Sequence, residues 1–463
     1  MPDIWSSRGK IVNDMLASPA LQCRVYSRIA LQDQDSITRG YCLEFSAGNS
    51  FDFGFCRKEN VPSLLRDILT VGNTRVLTEN AEFLMLPTVP TGQWVKQVRK
   101  YDPTRVVMWL ENSIELNEEY VESIIKLRSL GMKFAIRVDA MGNIASNEDV
   151  LRCLCYLLVD ADKYEEYHPV IDSLKKQNPS LELIGYKQDN HIVNFEKSEI
   201  KPYKYVLGII QPDKLTYENG IRPKWQHEML RTFAQLYSSI YDIKEIGNIV
   251  SSNPFMGAAM KGLISSKHLT SLTLRGSNQA SSLSDTQGLS PNDLRNYMVI
   301  SVAYNLFLKS EFEVMAKRGV KQDESLVNYE PFIQALHFAK VVDFLAQDIC
   351  DDVTVSQGFI AGFLRYSHLF LHDKYENVLK EFPLEAVCSI YQSGGGQLGG
   401  IIRIVLDLFE HRVDEAIEES NSIGVSLSKE VLYSHISRSF TWTDAVLRAI
   451  GIIKSKDMED LFR

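Results

Sequence analysis

The sequence contains no long apolar run and no apolar core near its start. A membrane-spanning helix needs about 18 consecutive apolar residues, and charged or polar residues interrupt every window of that length. Residues 1–22 carry charged and polar side chains throughout, unlike a secretory signal peptide. We therefore predict a cytoplasmic protein that does not use a membrane.

Basic residues are in the minority. The chain has 50 Lys and Arg against 59 Asp and Glu, which gives a formal net charge of -9 at pH 7. An acidic surface repels the phosphates of nucleic acids, and the basic residues form short pairs instead of long runs. We therefore predict no general nucleic-acid binding.

The seven cysteines lack the Cys-X-X-Cys spacing of zinc ribbons and thioredoxin-type sites. Cys153 and Cys155 are the closest two, and one intervening residue suits neither kind of site. We predict reduced, mostly buried thiols with no metal or redox role.

The sequence does contain enough apolar material for two domains. Its 463 residues exceed the usual size of a single core. Hydrophobic residues at 45% and charged residues at 24% are typical of soluble globular proteins, and 10% aromatic residues argue against disorder.

In the first half, short apolar runs alternate with amphipathic stretches. The runs predict eight strands, over 24–30, 40–46, 82–86, 105–111, 133–139, 155–160, 181–186 and 203–208. Helical periodicity lies between most of them, over 61–69, 116–130, 162–175 and 192–199. This alternation predicts parallel strands with right-handed crossovers. Eight strands in about 200 residues fit a small, trimmed (β/α) barrel.

After residue 208 the pattern changes to helical periodicity alone. Turn signals at 209–213 and at Asn219-Gly220 come first. Helices are then predicted over 229–237, 243–251, 256–264, 293–308, 332–346, 357–372 and 400–411. The chain thus divides into an N-terminal extension (1–22), a barrel domain (23–215), an all-α domain (222–447) and a tail (448–463).

Three stretches of the first half carry a family pattern. They are residues 25–45 (VYSRIALQDQDSITRGYCLEF), 127–136 (LRSLGMKFAI) and 205–212 (YVLGIIQP). The first resembles the opening strand pair of EAL domains, the second resembles the segment before that family's paired aspartates, and the third resembles its terminal segment. The resemblance implies an EAL-type barrel.

Two stretches of the second half carry another pattern, residues 243–261 (IKEIGNIVSSNPFMGAAMK) and 357–364 (QGFIAGFL). They resemble helices of HDOD modules, which are relatives of HD phosphohydrolases without the metal-binding histidines. The order of the two halves is similar to that of the YuxH-like EAL/HDOD family of bacterial signalling proteins. The expected fold is therefore α/β plus all-α, with a degenerate EAL-type (β/α) barrel followed by a helical HDOD domain.

Active EAL domains hydrolyse cyclic di-GMP with two metal ions held by carboxylates at the C-terminal ends of the strands. The resemblance places the family's functional positions on side chains that cannot provide such a site. These are Cys42, Leu86, Trp109, the pair Arg137-Val138, Val159, Tyr186 and Leu207. It therefore implies no catalytic residue, no metal and no cofactor in the barrel.

Some acids lie within a few residues of those positions, namely Glu44, Glu111, Asp139, Asp160 and Asp189. A shift by one residue turns a strand side chain to the other face, so several independent shifts would be needed to rebuild a metal site. We expect these acids to cap helices or to face solvent at the rim.

In the second half, the His-Asp position of HD hydrolases falls on Arg365-Tyr366. His372-Asp373 follows about two turns later, and we interpret it as a polar helix end. His368 and His372 are interpreted as partly exposed surface histidines. The glycine-rich stretch 392–400 is not followed by the Gly-Lys-Ser/Thr of a phosphate loop, which favours a connector between helices.

The sequence thus predicts a non-enzymatic regulatory or adaptor protein that acts through protein partners, linked by the resemblance to cyclic di-GMP pathways. One alternative is a sensor that binds cyclic di-GMP, or another ligand, without hydrolysis. A second alternative is a residual metal-dependent cyclic di-GMP phosphodiesterase.

Overall fold

Strands at the start of the chain form a barrel, and helices follow it. The structure, a computed structural model, describes residues 23–47, 82–88, 90, 92–98, 103–110, 116–187, 195–211, 223–237, 243–266, 269, 290–350, 352–372, 396–410 and 412–453. The predicted helix over 61–69 lies outside these residues.

The barrel is closed and its strands follow one another in chain order. The strands are β1 (Cys23–Asp33), β2 (Thr38–Ala47), β3 (Phe83–Thr88), β4 (Val106–Leu110), β5 (Lys133–Arg137), β6 (Tyr156–Asp160), β7 (Glu182–Tyr186) and β8 (Tyr205–Leu207). All eight predicted strands are confirmed to within a few residues.

Strand β1 departs from the parallel arrangement that the sequence predicts. It runs antiparallel to both β2 and β8, whereas every other neighbouring pair is parallel. The reason is a tight turn after β1. There the carboxylate of Asp33 accepts hydrogen bonds from the amides of Asp35 and Ile37, both at 3.0 Å, and Ser36 takes a left-handed conformation with φ 65°. An Asp side chain that binds the backbone just ahead of it stabilises such turns.

Side chains alternate between the inside and the outside of the barrel, as the two-residue period of strands requires. The inner set forms a core of its own. Its members are Leu31, Cys42, Phe83, Met85, Val107, Ala135, Tyr156, Leu158, Ile184 and Leu207. The outward side chains of the same strands belong to a larger core that also contains the buried residues of the helices.

Four described helices accompany the barrel. They are α1 (Gly92–Val98), α2 (Glu118–Ser129), α3 (Glu148–Cys153) and α4 (Tyr164–Gln177). The predicted helices 116–130 and 162–175 correspond to α2 and α4. The prediction over 192–199 is wrong for residues 195–199, where a single bridge from Phe195 to Ile210 and a turn replace a helix.

The second half is helical in its described residues. Its helices are α5 (Lys224–Tyr237), α6 (Ile243–Ser252), α7 (Pro254–Ser265), α8 (Pro291–Lys317), α9 (Glu330–Ile349), α10 (Asp352–Arg365), α11 (Ser367–Phe370), α12 (Gly396–Phe409), α13 (Val413–Ser422) and α14 (Lys429–Ala449). Within the described ranges, no helix has the length and apolar character needed to cross a membrane.

Helices α9 and α14 pack against the outer face of β1 and β2. From the barrel, Arg28 and Tyr41 reach Asp444 on α14 and Glu330 on α9. Gln32 donates a hydrogen bond to the side-chain oxygen of Asn328 at 2.9 Å, just before α9 begins. A single apolar core runs through this contact and includes Ala30 and Leu43 from the barrel. The second half thus supplies the cover for this side of the barrel.

The helices meet closely where Gly262 of α7 faces the end of α14. A methyl group at position 262 would overlap the carbonyl oxygen of Ala449, and that backbone atom belongs to a helix. We expect Gly262→Ala to lower the free energy of unfolding by about 1–3 kcal/mol through overpacking. Gly247→Ala in α6 is the control, because among the described residues no atom beyond its chain neighbours and its own helix backbone lies within 4 Å of the added methyl group. It should stabilise the protein by about 0.5–1 kcal/mol. Urea unfolding of both variants tests this, and equal shifts of the two midpoints would contradict the close packing.

Candidate functional site

The C-terminal ends of β2 to β8 and the N-terminal end of β1 meet at one end of the barrel, which we call the barrel mouth. Barrels of this kind carry their active sites at this end because loops from several strands converge there. The side chains that occupy the mouth therefore decide what chemistry the barrel can support.

Four of the positions singled out from the sequence face the inside of the barrel. Cys42 and Leu207 belong to the inner core, and the half-buried rings of Trp109 and Tyr186 pack against it. A thiol, an alkyl group, an indole and a phenol thus line the barrel where the resemblance places family carboxylates and a glutamine.

The other positions have a different orientation. Leu86, Val138 and Val159 belong to the outer core, so they do not line the mouth. The residue of β6 that does share the inward face is Asp160, one position after Val159, as the alternation from Leu158 requires. On β6 the inward position at the mouth is thus held by Asp160, and Val159 points into the outer core. The side chain of Glu44, and all of Glu111 and Asp189, lie outside the described part of the structure.

Arg137 ends β5 on the inward face and is held by two neighbours. Its Nε donates a hydrogen bond to Oδ1 of Asp139 at 2.9 Å, and its Nη2 binds the second oxygen of the same carboxylate. The guanidinium also lies over the ring of Tyr186, 5.4 Å from the centroid. A two-point bond of this kind is among the stronger ones that a carboxylate makes.

The electrostatics of this group follow from burial and charge. Partial burial lowers the pKa of Arg137, but the bond with Asp139 outweighs it, so the pKa is raised overall. Burial raises the pKa of Tyr186 to about 12, with Arg137 opposing the shift. At neutral pH the mouth therefore holds a fixed cation beside an uncharged phenol.

Asp160 is likewise engaged by its own surroundings. Its Oδ1 accepts a hydrogen bond from the amide of Asp162 at 3.2 Å, which caps the short turn that follows β6. Its Oδ2 lies 3.7 Å from the ammonium group of Lys163. Helix capping is the role expected for such acids. Within the described parts of the chain, no three His, Cys, Asp or Glu side chains form a group that could hold a metal ion.

A second polar cluster lies where the barrel meets the helices, and we call it the seam. It consists of Arg28, Tyr41, Glu330, His337 and Asp444. Nη1 of Arg28 donates to Oδ1 of Asp444 at 3.2 Å, and the hydroxyl of Tyr41 donates to Oε2 of Glu330 at 3.1 Å. Every member is buried, so the cluster couples β1 and β2 to α9 and α14 away from bulk solvent.

Burial dominates the titration of the seam. It raises the pKa of Asp444 to about 7, although Arg28 and Arg448 oppose the shift. It also raises the pKa of Glu330, again with Arg28 in opposition. Burial, and then the charge of Arg28, lowers the pKa of His337 well below its usual value, so this imidazole is neutral at pH 7. Its Nδ1 is hydrogen-bonded to Oγ of Ser439 at 2.5 Å.

The expected His-Asp position in the helical half falls at a helix break. Arg365 is the last residue of α10, and Tyr366 separates α10 from α11. The buried ring of Tyr366 packs edge-on against Phe338, with centroids 4.9 Å apart. The predicted continuous helix over 357–372 is thus interrupted at this tyrosine.

The two histidines that follow differ in exposure. His368 is partly exposed, as predicted. The prediction of partial exposure is wrong for His372, which is buried with its Nε2 2.7 Å from the carboxylate of Glu311 on α8. The residue reaches that partner from a left-handed backbone with φ 53°. The local sequence pattern around His372 could not reveal this partner, because Glu311 lies 61 positions earlier in the chain, in the C-terminal third of α8.

Two further sequence features belong to the framework. The connector predicted for 392–400 is wrong for residues 396–400, which form the first turn of α12, and residues 392–395 lie outside the described part of the chain. A side chain at Gly400 would collide with Ile423. Cys153 and Cys155 carry free thiols, and burial raises the pKa of Cys153. Neither feature adds a reactive group to the mouth.

No protein-family profile matches the sequence, and no curated protein matches it.

Removing the cation of the seam should be costly. We expect Arg28→Met to lower the free energy of unfolding by about 3–5 kcal/mol, because two buried carboxyl groups lose the charge that stabilises them. Arg152→Met is the matched control. Its exposed ion pair with Glu148, one helical turn away at 3.1 Å, should be worth less than about 0.5 kcal/mol. Urea unfolding at pH 7 measures the free energy of unfolding of both variants. Similar decreases in the two would show that the buried ion pair stabilises the fold no more than the exposed one.

Proposed function

We propose that this chain is a non-catalytic regulatory or adaptor protein of bacterial signal transduction that acts through protein–protein contacts. The observation that supports this most directly is the engagement of Arg137 with Asp139 and Tyr186 inside the barrel mouth. The bacterial setting and the link to cyclic di-GMP come from the sequence resemblance to EAL/HDOD proteins.

The chemical argument concerns what a dinuclear metal site needs. Magnesium and manganese prefer several oxygen ligands that converge on one point, and two-metal hydrolysis uses them to generate hydroxide and to bind the phosphate. Asp139 and Asp160 are the acids described at the mouth, and each already binds a cationic side chain or a backbone amide. Cys42 and Trp109 offer no hard oxygen ligand. These side chains favour a recognition surface over a hydrolytic centre.

A hydrolysis assay on the full chain tests the proposal. With cyclic di-GMP and magnesium or manganese, we expect no turnover above the protein-free rate. Turnover that disappears in Asp139→Asn or Asp160→Asn, but persists in the exposed control Glu148→Gln, would overturn the non-catalytic proposal in favour of a metal-dependent phosphodiesterase.

A genetic experiment tests the regulatory role directly. In the native bacterium, deletion of the gene should change a signalling-dependent behaviour such as motility or biofilm formation. A chain that carries Asp160→Asn should restore that behaviour, because the side-chain oxygen of Asn can still accept the hydrogen bond from the amide of Asp162, whereas a metal site would lose a carboxylate ligand. Failure to restore it, at normal protein levels, would count against the adaptor.

A second candidate function is a sensor that binds cyclic di-GMP without hydrolysing it. The observation in its favour is the combination of the Arg137 guanidinium with the rings of Tyr186 and Trp109 at one mouth. Guanidinium groups bind phosphates, and aromatic rings stack on bases.

Calorimetric titration separates the two candidates. A sensor should bind cyclic di-GMP, and Arg137→Ala should weaken that binding about tenfold or more through loss of a charge-assisted hydrogen bond. Arg152→Ala, on the exposed face of α3, should leave it unchanged. If the native chain does not bind cyclic di-GMP, the sensor function is excluded and the adaptor function is favoured.

A further inference from the structure

The two acids described at the barrel mouth differ in what holds them. Asp160 accepts a hydrogen bond from a backbone amide at 3.2 Å and also lies 3.7 Å from the ammonium group of Lys163. Within the described residues, the carboxylate of Asp139 is bonded to Arg137 alone, through both of its oxygens. It projects from the short turn Val138–Ala140 that follows β5. The carboxylate can therefore leave Arg137 without breaking any other hydrogen bond.

Arg137 has a second support that does not depend on Asp139. Its guanidinium lies over the ring of Tyr186, 5.4 Å from the centroid, and a guanidinium so placed is attracted by the face of the ring. The side chains of Arg137 and Asp139 are 23% and 33% exposed, so a dissolved ligand can reach both. If the carboxylate moves away, the cation stays at the mouth and remains accessible.

The bond between Arg137 and Asp139 has the form in which a guanidinium binds a phosphate. Nε of Arg137 donates to Oδ1 at 2.9 Å, and Nη2 donates to the second oxygen of the same carboxylate. Carboxylates and phosphates both accept such a pair of parallel hydrogen bonds. The rings of Tyr186 and Trp109 lie in the same lining, and aromatic rings stack on bases. Asp139 thus occupies the place that the phosphate of a nucleotide would take.

We propose that Asp139 is an internal competitor for Arg137, which the phosphate of a nucleotide displaces when the nucleotide binds at the barrel mouth. This inference rests on the sensor, the second function proposed above, and concerns the regulation of its site. Two hydrogen bonds to the carboxylate are exchanged for two to the phosphate, and no covalent bond changes. A partly exposed ion pair is weak enough to be replaced. Because the carboxylate is tethered two positions from the cation, its effective concentration is high, and it lowers the affinity for the ligand.

The alternative arrangement is binding beside an intact ion pair. In the part of the chain that the structure describes, Arg137 bonds to Asp139 through Nε and Nη2 and makes no hydrogen bond through Nη1. An anion that approaches Nη1 would leave the carboxylate where it is, and Asp139 would then orient the guanidinium for the ligand. The two arrangements differ in whether the bond from Nε to Asp139 survives when the ligand is bound.

Calorimetric titration of the full chain with cyclic di-GMP tests the competitor. We expect Asp139→Asn to bind about fivefold more tightly than the native chain, because the neutral amide competes for the cation without charge. Asp407→Asn is the matched control. Asp407 accepts a hydrogen bond from Nε of Arg412 at 3.1 Å in the helical half, and its substitution should leave the affinity unchanged. Binding by Asp139→Asn that is no tighter than native binding would overturn the competitor and leave the sensor. Absence of binding by both chains would overturn both.

A second measurement follows the displaced bond in the native chain and needs no folded Asp139 variant. With isotope-labelled arginine, the Nε–H signal of Arg137 can be observed by nuclear magnetic resonance and assigned by its loss in Arg137→Ala. Saturation with cyclic di-GMP should shift this signal, because the acceptor changes from a carboxylate to a phosphate. A signal that keeps its ligand-free position in the saturated chain would show that Asp139 is not displaced. That result would overturn the proposal even if Asp139→Asn binds more tightly.

Discussion

The guanidinium group of Arg28 leaves the outer face of β1 and enters the helical half, where it meets Asp444 and lies 4.5 Å from the ring centroid of Phe440. A cation removed from water is tolerated only where acids and hydrogen bonds replace its hydration. Those acids come from α9 and α14, so the barrel cannot bury this side chain without both helices. The same contact covers the apolar outer face of β1 and β2. The two halves of the chain therefore share one core. Separating them would expose the buried charges around Arg28 together with the apolar outer face of β1 and β2.

The two carboxylates described at the barrel mouth are both engaged in hydrogen bonds or ion pairs with neighbouring groups. Asp139 accepts hydrogen bonds from the guanidinium of Arg137. Asp160 accepts one from a backbone amide and forms an ion pair with Lys163. An acid in such a bond gives up ligand capacity, because its lone pairs already point at donors. The described residues leave a mixed aromatic and cationic lining at the mouth, made by Trp109, Tyr186 and Arg137.

Much of the fold could be predicted from local pattern, and the failures have physical causes. All eight strands follow from apolar runs, because a strand buried on both faces needs little else. The direction of β1 was missed, since it depends on the turn at Asp33 and Ser36. The outward direction of Val159 was not visible in the sequence, because pairing register decides which face a residue takes. The seam could not be predicted at all: Arg28 and Asp444 lie 416 positions apart, and neither residue stands out from its neighbours in the sequence.

Strand β1 brings the two clusters within one residue of each other. Ile29 pairs with Cys42 and faces the inside of the barrel, whereas Arg28 pairs with Leu43 and faces the helices. Successive side chains of a strand point to opposite faces, so this one strand contributes both to the inner lining of the barrel and to the ion pair with α14. The antiparallel placement of β1 thus puts the lining and the seam on the two faces of a single element.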